Sequence, residues 1–277
     1  MNRVKELAKE KPEVLNSVFD AVGLNRLTPT DQEFLAEFTT LMGSVAMALD
    51  ILQGEKNMYY GYLVPTIVQL KRRIESAQTS GEGLKHCNPL AKALLDGISE
   101  RFDNILDNDE AILAACVHPL FKFDWIDDRR ERKKAEKIVK AALITEAKLQ
   151  GVPATATAPP DTTDRATSSC NAGGGFFNFA SKRAKVPSPT TAEEAAELEL
   201  EKFLETSEDV KVLIEGFPLL KKVFTRSNTP LPSSAAVERL FSLSGLVLSS
   251  LRGGLSDDHL EMLILLKANA CFVDFQC

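Results

Sequence analysis

The chain has 277 residues, 44% of them hydrophobic, with 33 Lys and Arg against 39 Asp and Glu and a formal net charge of -6. That is enough apolar material for a buried core and enough length for two units, which excludes whole-chain disorder. Gly 15 and Pro 13 exclude a collagen-like or low-complexity chain, and the negative balance argues against a protein whose main work is an electrostatic grip on phosphate backbones.

The acidic excess is local, because residues 191–277 hold 8 basic and 14 acidic side chains and the rest of the chain is balanced. Five cysteines, Cys87, Cys116, Cys170, Cys271 and Cys277, form no CxxC pair, so neither a disulfide framework nor a zinc ribbon is indicated. The N-terminal residues lack an apolar segment. The longest apolar stretch reads as 260–273, and it is interrupted by Glu261, Lys267 and Asn269. Secretion and membrane spanning are not expected.

Residues 1–126 read as a helical domain. Thr28, Pro29 and Asp31 announce a helix start, and Phe34, Leu35, Phe38, Leu41, Met42, Val45, Leu49 and Leu52 follow as one stripe closed by Gly54. A second helix over 62–77 puts Leu63, Ile67, Leu70 and Ile74 on one face and Lys71, Arg72 and Arg73 on a solvated one. A third spans 89–106. The aromatic cluster at 118–125 reads as a loop or short strand, with His118 a core or loop histidine.

Residues 127–150 carry eight basic and five acidic side chains, the composition of a helix that projects from a core or bridges units. In 151–190, Gly, Pro, Ser and Thr make up 19 of 40 residues and Leu and Ile are missing, so this stretch is expected to be a disordered linker. Its cluster Lys182, Arg183 and Lys185 suits a nuclear-import signal or a solvated tether; without the signal the location is cytoplasmic.

Helical pattern resumes at 193–204 and 210–224, the second broken at Gly216, Phe217 and Pro218. Pro232, Ser233 and Ser234 then start a helix in which Val237, Leu240, Phe241 and Ser244 share a face and Gly245 supplies the stop, with a serine hydroxyl expected to cap its first turn. Ser256 caps another, with Asp257 and Asp258 at its positive end. There Leu260, Leu263, Ile264 and Lys267 are joined by Met262, Leu265 and Leu266, so the helix is apolar nearly all round and has to be covered on more than one side, by its own domain or by a second chain.

Residues 228–269, with Pro232-Ser233-Ser234-Ala235, Val237-Glu238-Arg239-Leu240-Phe241-Ser242, Gly245, Arg252, Leu255-Ser256 and Lys267-Ala268-Asn269, closely resemble the C-terminal dimerisation region of hAT-superfamily transposases and of genes domesticated from them. A looser similarity runs through residues 48–55, 61–66 and 118–122, which look like the helical insertion of the same proteins. The resemblance implies a mainly α chain, the terminal part of an RNase H-like transposase fold. Its parts would be an insertion-type domain (1–126), a charged helix (127–150), the linker (151–190) and a dimerisation region (191–277). It also implies a partner that is a second copy or a related hAT-like protein, meeting Val237, Leu240, Phe241, Leu260, Leu263, Ile264 and Leu266.

Relatives of this kind cut DNA with three carboxylates around divalent metal ions. Glu238 matches the third of these by motif. The first two belong on strands preceding the insertion, and Asp20, Asp31, Asp50, Asp96 and Asp103 read instead as caps or surface charges. The expectation is therefore no catalysis, no cofactor and no metal. The alternative is a metal-dependent nuclease subunit whose aspartates come from elsewhere, and the basic faces leave room only for weak or indirect DNA association. No Cys-Cys-His-His finger spacing occurs.

Overall fold

The computed structural model describes residues 10–54, 58–79, 83–151, 191–206, 209–248 and 254–269. Among them the chain is helical and contains no strand. The helices are α1 (Pro12–Val22), α2 (Pro29–Leu52), a 3-10 turn (Tyr60–Tyr62), α3 (Leu63–Thr79), α4 (Asn88–Leu106), α5 (Asp109–Cys116), α6 (Arg129–Leu149), α7 (Ala192–Glu205), α8 (Val210–Gly216), α9 (Pro218–Asn228), α10 (Ala235–Val247) and α11 (Asp257–Ala268). The residues at 118–125 form successive turns and no strand, and Pro119, three residues past the end of α5, bars continuation of that helix. The expected linker and the cluster Lys182, Arg183 and Lys185 lie outside the described residues, apart from Gly151.

Helix α2 begins as its sequence predicts. The Thr28 hydroxyl accepts from the Asp31 backbone N–H, and the Asp31 carboxylate accepts from the Thr28 N–H in return, a capping box that satisfies two otherwise unpaired groups. Its 24 residues are, by length and composition, enough to cross a membrane, so the longer apolar run lies here and not at 260–273. Core helices pass the same test. Here Leu41 packs with Ile74 of α3 and with Cys87 and Ala91 at the start of α4, and Glu37 ties α2 to that turn. The expected stripe is buried only at Leu41, while Phe34 and Leu49 face outward.

The larger core joins α5 to α9. Along α6 the residues Ala135, Val139, Leu143 and Ala147 recur every fourth position and are all fully buried. Of the two expectations for this helix, projecting or bridging, the projecting one is overturned, since α6 packs against α5, α7 and α9. A narrow strip of small and branched side chains suffices for close packing, and its charged flanks find partners around it: Lys134 with Asp109, Lys140 with Glu197, and buried Glu146 with Lys222. Ala192, Ala196, Leu200, Phe203, Leu213, Leu220, Val223 and Phe224 close over the same strip. Packing therefore runs continuously between residues 127–150 and 191–228.

Two buried polar contacts fix the seam. The Gly61 N–H donates to Asn228 Oδ1 at 2.8 Å, and Asn228 Nδ2 donates to the Ala114 carbonyl at 3.1 Å. Within the core the Glu199 carboxylate accepts from the Leu220 N–H at 2.7 Å, pairing a free donor at the head of α9.

Candidate interaction surface at the C-terminal hairpin

After α9 the chain passes Pro230 and Pro232, which cannot donate to a helical ladder, and α10 starts at Ala235. Its start differs from the expected serine cap: Ser234 accepts no cap bond, its hydroxyl donates instead to Glu238, and the Ser233 hydroxyl donates to the Leu52 carbonyl at the end of α2. The Arg239 guanidinium adds a bond to the Gln53 carbonyl at 2.7 Å. The carbonyls at the end of α2 thus hold α10 on both sides of its start, at Ser233 and Arg239. The helix also runs through Gly245 to Val247, so that glycine is no stop: nothing packs where its side chain would be.

Helix α11 is capped as expected, the Ser256 hydroxyl accepting from the His259 N–H with Asp257 and Asp258 in the first turn. It packs chiefly on α10, and none of its residues is buried. The expected covering on several sides is not supplied by the described part of the chain. Phe241 is 68% exposed, Met262 63% and Leu266 50%, with Val237, Leu240, Leu246, Leu263 and Leu265 also open. Leu260 and Ile264 are half-buried toward the hairpin. Leu246, Val247, Leu263, Leu266 and Lys267 line an open cleft of about 300 Å³ between the two helices.

The seven predicted interface residues are thus brought onto one hairpin, five of them clearly exposed. Exposed apolar side chains gathered on one hairpin make it a candidate surface for association, although Val14, Val18, Val22, Phe34 and Leu49 are open elsewhere. Glu238 stands in the first turn of α10, exposed, held by Ser234, and belongs to no metal-holding cluster of His, Cys, Asp or Glu among the described residues. Of the five aspartates, Asp20 pairs with Arg26, Asp31 caps α2 and Asp103 pairs with Lys71. The basic run on α3 is less free than its sequence suggests: Arg72 pairs with Asp127 and donates to the Trp125 carbonyl.

Three features lie away from the hairpin, the first of them the core histidine that the sequence suggested. His118 is fully buried among Tyr59, Tyr62, Phe121 and Phe224, accepting from the Leu120 N–H through Nδ1 while Nε2 has no hydrogen-bond partner, and burial pushes its pKa down to about 4. Burial likewise pushes the Cys116 thiol up to about 12, which leaves it unreactive. The third is an apolar groove between α2 and α3, lined by Met47, Ala48, Ile51, Pro65, Leu70 and Trp125 among others. Its signal was the outward half of the α2 stripe. Comparison with protein-family models and with curated proteins gives no match.

Proposed function

We propose that this chain is a protein-association module of the hAT-transposase-derived type, which pairs with a second copy of itself or a related chain through the α10–α11 hairpin and performs no strand cleavage. In this reading the described helices are the insertion and terminal parts of an RNase H-like transposase architecture, with 191–277 as the dimerisation region. The nucleus is its place of work.

The observation that carries the reading is the exposure of Phe241, Met262, Leu265 and Leu266 on a hairpin anchored by its first turn. Covering several such side chains supplies the favourable apolar burial that has to offset the entropy lost on association. The motifs at residues 232–242 and 255–269 support the same reading, and a two-fold arrangement is the commonest form for it. Light scattering on the full chain tests it. The wild type should run as a dimer at micromolar concentration and Phe241→Glu as a monomer of unchanged helix content; a monomeric wild type rejects the proposal.

A further inference from the structure

Among the described residues a second apolar surface is left unpartnered, and its chemistry suits the first. The groove between α2 and α3 encloses about 410 Å³ and is walled by Met47, Ala48 and Ile51 on one side and Pro65, Leu70 and Trp125 on the other. Its charged residues are Arg72, Arg73 and Asp124. Arg72 is occupied by Asp127, whereas exposed Arg73 donates to the Met47 thioether and has no carboxylate within reach among the described residues. The groove is therefore oily with a free cation on its rim.

On α11 the residues Asp258, Glu261, Met262 and Leu265 fall at helical spacing on one face, and all are exposed. None of the ion pairs among the described residues involves either acid. This face offers two apolar side chains flanked by two carboxylates. Groove and hairpin meet at the end of α2, where Leu52 and Gln53, one and two residues beyond the groove-lining Ile51, hold Ser233 and Arg239. A two-fold axis near that junction would let each copy offer its α11 to the other's groove.

Resting on the association reading above, we infer that the pairing is reciprocal: Met262 and Leu265 of one copy seat in the α2–α3 groove of the other, with Glu261 against Arg73. Two hairpins packing on each other is the competing arrangement, and it leaves the groove empty. Placing Glu261 at Arg73 fixes register, since like charges there are repelled.

Charge reversal separates these. Sedimentation equilibrium is run on the full chain and on Arg73→Glu, Glu261→Arg, the double variant and Phe241→Glu, with thermal unfolding to show that each folds. Each single reversal should weaken pairing by about tenfold or more, and the double variant should return to within about threefold of wild type. If Arg73→Glu pairs like wild type while Phe241→Glu does not, the hairpin mediates pairing but the groove is not its seat, and this inference falls alone. If the double variant stays as weak as the singles, the Arg73–Glu261 contact is rejected. If the wild type is a monomer, both readings fall.

Discussion

Asn228, the last residue of α9, holds Gly61 across a sequence separation of 167, its carboxamide accepting from the Gly61 N–H while donating to the Ala114 carbonyl. One buried side chain thereby satisfies a donor and an acceptor from two other segments. A Cβ at Gly61 would lie 2.4 Å from the Ala114 oxygen and 2.8 Å from Asn228 Oδ1, so the approach requires glycine. Asn228→Ala strands both backbone groups and should cost about 2–4 kcal/mol; Gly61→Ala has to move backbone and should cost about 3 kcal/mol or more. Urea unfolding measures both, and a loss below about 1 kcal/mol in each would contradict the assigned role.

His118 makes stability depend on pH. Its pKa is pushed to about 4 by burial, against about 6.5 in an unfolded chain. Between those values the unfolded state binds a proton that the folded state does not. Stability is therefore fully present above about pH 6.5 and declines, by of order 3 kcal/mol, as pH falls through about 4. Glu199 acts oppositely: burial raises its carboxyl, outweighing the Leu220 and Leu219 N–H groups that lower it, so its contribution is greatest in acid and is lost as pH rises through the folded value. His118→Phe should flatten the loss of stability between neutral pH and about pH 5. An unchanged slope would contradict the assignment.

Glu37 is the clasp between α2 and α4. Its carboxylate accepts from the backbone N–H groups of Lys85, His86 and Cys87 at 2.8 to 2.9 Å. Burial pushes its pKa up, but these three donors together hold it below the ordinary carboxylate value. The contribution is thus present above the unfolded pKa and is lost as pH falls through the folded one. Glu37→Gln keeps the shape but loses the charge and should cost roughly 1–3 kcal/mol at neutral pH, with amide exchange at Lys85, His86 and Cys87 accelerated. Unaltered exchange there would show that the clasp does not order the turn.

Glu238 separates the association reading from the nuclease alternative. Its carboxylate is held by the Ser234 hydroxyl in the first turn of α10. Glu238→Gln should leave pairing within about threefold of wild type. With Mg²⁺ or Mn²⁺ the wild type is expected not to cleave DNA, and cleavage that disappears in Glu238→Gln would overturn the ranking.

Periodicity and capping made much of this fold legible. Thr28 and Asp31 set the start of α2, Ser256 that of α11, and Pro218 the break between α8 and α9, since each rule concerns groups within a few residues. What escaped depends on distant partners. The role of α6 was hidden because its charges outnumber its strip of Ala135, Val139, Leu143 and Ala147, and only α7 and α9 reveal that strip as a core. Ser233 reads locally as a cap, yet its hydroxyl goes to Leu52. Gly245 reads as a stop, yet an open helical position tolerates it. The hairpin face was legible as excess apolar surface on α11, whereas the facing groove forms only when α2 lies against α3.

Whether another polypeptide covers α10 and α11 is read directly by amide hydrogen exchange of the full chain, followed residue by residue as its concentration is raised from nanomolar to high micromolar. Exchange in α10 and α11 should slow with concentration while that of α6 stays constant. Exchange in both hairpin helices that is identical at every concentration would contradict the account.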